Sequence, residues 1–140
     1  MHYYLEIIMP EPEDVEKSVA EIMEPFREDG DGTSGERFWD WYVIGGRWSG
    51  EKPAGDICKV SEMPSNLSAY RVIYAYKNDP VYMISRQIWN GCNYVETGWN
   101  GSISESRELC VAEIKKFSPQ WAEKITPNND WVSVTVDYHC

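Results

Sequence analysis

Histidine is nearly absent from this chain: two residues in 140, His2 and His139, one near each end. With no imidazole mid-chain and no G-x-S-x-G, H-E-x-x-H or H-x-E…C-x-x-C pattern, the usual serine-hydrolase, zinc-protease and deaminase arrangements have no residues to occupy them. The four cysteines, Cys58, Cys92, Cys110 and Cys140, include no C-x-x-C pair. A structural zinc site needs close ligand pairs, so reduced thiols and no metal are expected. Neither G-x-x-x-x-G-K-[ST] nor G-x-G-x-x-G occurs, so no standard phosphate or dinucleotide cofactor motif is present. No apolar run approaches the length of a membrane span. Residues 1–10 also lack the basic start and small-residue cleavage site of a signal peptide, so a cytoplasmic location and no membrane partner are expected. Basic residues are scarce, 13 against 23 carboxylates for a net charge of −10. Such a chain is a poor ligand for nucleic acid phosphates. These absences together favour a binding protein without cofactor over an enzyme.

What is present fits one folded α+β domain over residues 1–140, with 42% hydrophobic and 26% charged residues. "HYYLEIIM" (2–9) reads as a buried strand ended by Pro10. The next segment places Val15, Val19, Ile22, Met23 and Phe26 on one helical stripe, with Pro25 limiting the helix to about residue 24. "REDGDGTSGE" (27–36) reads as a polar loop. Alternation over 39–44 predicts a strand with Trp39, Trp41 and Val43 on one face and Asp40, Tyr42 and Ile44 on the other. A short apolar piece at 57–60 lies between turn-rich segments. Strands over 69–76, 81–89 and the segment after Asn90-Gly91 form a meander of three. Ser102 and Glu105 read as a capping box opening a helix to about 117, and "QWAEKI" beyond Pro119 as a further helical turn. "WVSVTVDYH" closes the chain with Val132, Val134, Val136 and Tyr138 inward and Ser133, Thr135 and Asp137 outward. The order predicts an antiparallel sheet with two helices on one face, ferredoxin-like βαββαβ with an extra hairpin. In that arrangement the last strand lies beside the first and brings His139 near His2. Those imidazoles, with the Cys140 thiol, offer a minor transition-metal site, but the sequence shows no groups that would orient them, and frayed ends without metal are the expectation.

The chemistry concentrates in "FWDWYVIGGRWSG" (38–50). Gly45 and Gly46 permit positive φ and leave backbone N–H groups able to face an anion. Arg47 offers a guanidinium that forks onto phosphate or carboxylate. Trp39, Trp41, Tyr42 and Trp48 supply ring faces for stacking. Arg86, with Arg71 on a neighbouring strand, adds positive charge to a possible pocket near Tyr74, Tyr82, Trp89 and Tyr94. Together these candidates describe a site for a small, planar, nucleotide-like anion. The structural alternative makes Gly45-Gly46 a turn, pairs Arg47 with Asp40 and places the indoles in the core. A Trp-x-Gly echo at Trp48, Trp89 and Trp99 fits either reading.

A second reading rests on charge. The first forty residues hold twelve carboxylates against three basic residues. On the predicted helix, Glu13, Glu16 and Glu24 present an acidic face. Such a face keeps a protein soluble, or it imitates nucleic acid and blocks a partner's binding groove.

"WDWYVIGGRWSG" resembles a group of uncharacterised small bacteriophage- and prophage-encoded proteins with a W-D-W-x-x-I-G-G-R-W core. The close match covers some ten residues, together with a similar strand-and-helix opening. The resemblance implies an accessory, counter-defence role in the host cytoplasm. The ligand would be a small nucleotide signal or the partner a host defence protein, with a homodimer compatible with either. It assigns no residue a role.

Overall fold

The expected strand at residues 2–9 forms as β1 (His2–Met9), with Tyr4 through Met9 all buried. In the computed structural model, the described residues are 1–29, 37–76, 79–84, 87–89, 94–96, 102–116, 119 and 130–140. Helix α1 (Val15–Met23) is opened by Asp14, whose carboxylate accepts from Lys17 N at 3.1 Å. Pro25 then turns the chain into a single 3-10 turn over Glu24–Phe26, where the sequence places the helix end. Strands β2 (Trp41–Ile44) and β3 (Ile57–Lys59) follow, then β4 (Arg71–Tyr76), β5 (Asp79–Ile84), β6 (Gln87–Trp89) and β7 (Tyr94–Glu96). Helix α2 (Ile103–Lys115) and β8 (Val132–His139) complete the order. The run 81–89, expected as one strand, divides into β5 and β6, which pair antiparallel. Arg86, the Asn90-Gly91 turn, Trp99 and most of the segment after Pro119 lie outside the described residues.

The fold is α+β, built on one sheet in the order β2-β8-β1-β4-β5-β6-β7, with β3 also paired to β8. As expected, β8 runs antiparallel beside β1. The pairing does not give the ferredoxin-like order. That order places a strand between the two parallel strands joined by the first helix, whereas here β1 pairs directly and in parallel with β4. The strands that precede β4 in sequence, β2 and β3, lie instead against the far edge of β8.

The expectation of two helices on one face is also corrected. Helix α1 buries Val19, Ile22 and Met23 against Leu5, Ile7 and Met9 of β1 and Val132, Val134 and Val136 of β8. On the other face Ile103 of α2 packs with Tyr4, Ile8, Val72 and Tyr74. Successive side chains of a strand point to opposite faces, so β1 feeds both cores and must be buried along its length. Each fully buried aliphatic side chain contributes about 1.5–3 kcal/mol, and the two cores hold the sheet from both sides.

Among the described residues, no helix is long and apolar enough to cross a membrane.

Candidate functional site

The residues expected to face outward on β8 are instead interior: Ser133, Thr135 and Asp137 are all buried. Their cross-strand partners on β1 are Ile8, Glu6 and Tyr4, which places these side chains on the α2 face of the sheet. The segment joining β2 to β3 covers them. Gly45 N donates to Thr135 O at 2.8 Å, and Thr135 N donates to Asp56 O at 2.8 Å. Residues 46–55 therefore leave and rejoin the sheet at one residue, as a compact loop closed at its neck. Ser49 Oγ and Gly50 N both donate to the Asp56 carboxylate and draw the loop's two limbs together.

Lys52 reaches inward from this loop. Its ammonium lies 2.6 Å from Glu6 Oε1, and both side chains are wholly removed from solvent. Lys52 Nζ also donates to Ser133 O at 2.8 Å. Tyr4 OH and Thr135 Oγ1 donate to Glu6 Oε2 at 2.8 and 3.0 Å, and Ser133 Oγ donates to Glu6 Oε1. An isolated buried charge is very costly, and this carboxylate is stable here because an ammonium and three hydroxyls surround it. Burial, reinforced by Glu6, pushes the Tyr4 phenol well above its ordinary range. Burial likewise raises the Cys58 thiol, while neighbouring Lys52 pulls the other way. The sequence carried one signal for this network, since Glu6 is the lone charged residue in an otherwise apolar strand. Lys52, in a turn-rich loop, gave none.

The glycine-rich motif resolves around Asp137. Gly45 has φ +82° and Gly46 φ +57°. A Cβ on Gly46 would lie 2.5 Å from Asp137 Oδ2, so glycine is required both by conformation and by close approach. Arg47 N donates to Asp137 Oδ2 at 2.9 Å. The anion that this backbone turn holds is thus the protein's own carboxylate, and the Gly45 amide is engaged by Thr135 O. Of the two amides expected to cradle a phosphate, that of Gly45 is therefore already engaged within the fold.

The three indoles separate. The chain bends at Asp40, which breaks the alternation expected from 39 to 44. Trp39 is buried in the α1-side core, its Nε1 donating to Met23 O at 2.7 Å. Tyr42 stands edge-on to it, half-buried on the same side. Trp48 stacks on Tyr4 on the opposite face, centroids 5.4 Å apart and planes 14° from parallel. Its Nε1 is shielded from solvent with no hydrogen-bond acceptor among the described residues. Trp41 alone is open, 50% exposed. Arg47 is exposed and makes no ion pair among the described residues, so the expected pairing with Asp40 is not formed. Asp40 instead holds His139 Nδ1 at 2.8 Å.

A second aromatic and polar group gathers at the sheet end beside the loop. Asp137 Oδ1 lies 2.7 Å from His2 Nδ1. The His2 ring meets the Trp41 ring edge-on at 5.9 Å and the His139 ring at 5.5 Å. Trp41 is the cross-strand partner of His139. The Arg47 backbone, Trp41, His2 and His139 therefore share one end of the sheet, where Asp137 joins the Arg47 backbone to the His2 ring.

Arg71 and Tyr74 do not line one pocket, and Arg86 and the side chains of Tyr82, Trp89 and Tyr94 lie outside the described residues. Arg71 lies over the Phe38 ring at 3.8 Å and donates to Tyr138 OH at 3.2 Å. Tyr74 points to the opposite face, where its hydroxyl lies 2.7 Å from Ser106 Oγ. A cavity of about 590 Å³ does open beside Tyr74, between α2 and residues 60–65, lined also by Ile8, Met63, Ile103 and Val111. Glu13, Glu16 and Glu24 are all exposed, as expected, and Glu24 pairs with Arg27 at 3.2 Å.

No protein-family model, curated protein or solved structure matches this chain. The arrangement of the residues themselves carries the functional reading.

Proposed function

We propose that this chain is a non-catalytic, phage-type accessory protein that captures a small anionic, nucleotide-like ligand at the sheet end where Arg47, Trp41, His2 and His139 meet. The observation that supports it is Asp137. One carboxylate oxygen accepts from the Arg47 backbone and the other meets the His2 ring, whose edge meets the exposed Trp41 indole, so the backbone of Arg47 is anchored at the sheet end that carries Trp41. The guanidinium binds phosphate oxygens and Trp41 stacks on the planar ring. Trp39 and Tyr42 serve the core, and Trp48 packs on Tyr4.

Calorimetry of the intact chain against cyclic and linear nucleotides tests this. One nucleotide class binds the wild type; Arg47→Ala weakens it at least tenfold, and Trp41→Ala removes about 1–3 kcal/mol. No binding to any member at millimolar ligand, or equal affinity in all three proteins, sinks the reading.

A second reading, an acidic inhibitor of a host defence protein, draws on the solvent exposure of Glu13, Glu16 and Glu24. Under it, reversing those three charges abolishes capture of a basic host partner while Arg47→Ala leaves it intact.

A further inference from the structure

We propose that His2 and His139 form a cross-strand bis-imidazole site for a divalent transition metal such as Zn²⁺ or Ni²⁺, with Asp137 and Asp40 fixing the two rings. The inference goes beyond ligand capture and does not depend on it.

The backbone sets the distance first. Met1 N donates to Cys140 O at 3.4 Å and Cys140 N donates to Met1 O at 3.3 Å. Residues that exchange both bonds are the hydrogen-bonded pair of an antiparallel ladder, so the next pair, His2↔His139, is the narrow one. Its side chains leave the same face of the sheet, at the closest spacing a sheet provides. Cys140, one residue on, is directed to the other face by the same alternation. The sequence-level trio of His2, His139 and Cys140 therefore reduces to the two imidazoles.

The ring separation matches that of two imidazoles on a shared ion. Two imidazole nitrogens at about 2.0–2.1 Å from one metal, at a tetrahedral angle, put the ring centroids about 5.2 Å apart. The observed separation is 5.5 Å. Each ring already has the partner that ligating histidines characteristically have. Asp137 holds His2 Nδ1 at 2.7 Å and Asp40 holds His139 Nδ1 at 2.8 Å. A proton on Nδ1, donated to the carboxylate, leaves the Nε2 lone pair for a metal. Neither Nε2 makes a hydrogen bond with the described residues.

Asp137 is itself buried and fixed by Arg47 N, and Asp40 N donates to His139 O at 2.9 Å. The orienting groups that the sequence did not reveal are thus in place before any ion arrives. The imidazoles remain 25% and 40% exposed, which leaves an ion a way in. Among the described residues, no group of three or more histidine, cysteine or acidic side chains converges. Water fills the remaining coordination positions, giving an exchangeable site rather than a closed structural one.

The test uses the untagged full chain, stripped with chelator, and the metal ion alone as probe. Titration with NiCl₂ or ZnCl₂ in a non-chelating buffer gives saturable one-to-one binding. The imidazole C–H resonances of the two histidines shift together in the proton NMR spectrum. Because the ion bridges the first and last strands, Ni²⁺ also raises the thermal midpoint. His2→Ala and His139→Ala each weaken binding at least tenfold, Asp137→Asn and Asp40→Asn about 10–100-fold, and Cys140→Ser has no effect. Circular dichroism of each variant confirms that the fold is kept; Asp40→Asn and His139→Ala, at exposed positions, decide the outcome if Asp137→Asn unfolds. Absence of saturable binding, or undiminished binding in a His2→Ala/His139→Ala double variant, overturns the site. Loss in the histidine variants with both asparagine variants unchanged overturns the carboxylate-held geometry.

Discussion

The Lys52 ammonium sits 2.6 Å from the Glu6 carboxylate with neither side chain reaching solvent. One partner lies in the central strand and the other in the loop above it, so the pair ties the 46–55 loop to the sheet. Removing only one charge leaves the other buried and alone. Lys52→Met is therefore expected to cost about 3–5 kcal/mol in urea denaturation. Combining it with Glu6→Gln recovers more than half of that loss, because the neutral amide still accepts from the Tyr4 and Thr135 hydroxyls. Equal, additive losses in a double-mutant cycle would show that the two groups do not interact.

Gly46→Ala tests the close approach to Asp137. The new methyl enters at φ +57° and meets the carboxylate at 2.5 Å. The left-handed conformation alone costs about 1–2 kcal/mol, and displacement of Asp137 adds to it. Gly50→Ala is the control, since nothing lies within 4 Å of its Cβ position although its φ is also positive. Because φ +93° at Gly50 is the less favourable angle for a side chain, a larger loss of urea midpoint at Gly46 reports the contact with Asp137.

Alkaline pH should destabilise the fold through Tyr138. Burial pushes its phenol up to about 12, with Arg71 working in the opposite direction. In the unfolded chain a tyrosine ionises near 10. The folded protein thus holds its proton where the unfolded chain has lost it, and stability falls as pH rises from 10 through 12. Below pH 10 this contribution is fully present. Tyr4 is raised as well and acts in the same direction. Urea midpoints measured from pH 8 to 11.5 should decline above 10, and less steeply in Tyr138→Phe.

Cys58 should resist alkylation in the native protein. It is buried on the α2 face and its thiol is raised, so little thiolate is available near neutrality. Cys140 is exposed. Peptide mapping after a short iodoacetamide pulse should find Cys140 modified well before Cys58, with the difference abolished in urea. Equal native rates would contradict the burial of Cys58 beneath the 46–55 loop.

Local periodicity located β1, α1 with its end at Pro25, β8, and the glycine pair at Gly45-Gly46. Each is a matter of a residue's neighbours in sequence: apolar spacing, a fixed proline φ, or the absence of a Cβ. The antiparallel pairing of first and last strands, which sets His139 opposite His2, also followed from element order. Polarity misled at Ser133, Thr135 and Asp137, because a polar face reads as a solvated one unless a distant segment is known to cover it. Likewise the motif 38–50 grouped three indoles that one bend at Asp40 and a loop closed on Thr135 send to three different environments.

What the sequence determined by itself is β1, α1, β8 and the requirement for glycine at the turn, since these depend on backbone sterics and periodic hydrophobicity. Tertiary structure alone decided that the helices take opposite faces, that Lys52 neutralises Glu6 in the interior, and that Asp137 and Asp40 hold the two imidazoles. Each of those outcomes requires groups separated by tens of residues to meet, with a charge or a hydrogen bond completed only once the sheet has formed. No pattern read along a single segment contains that information.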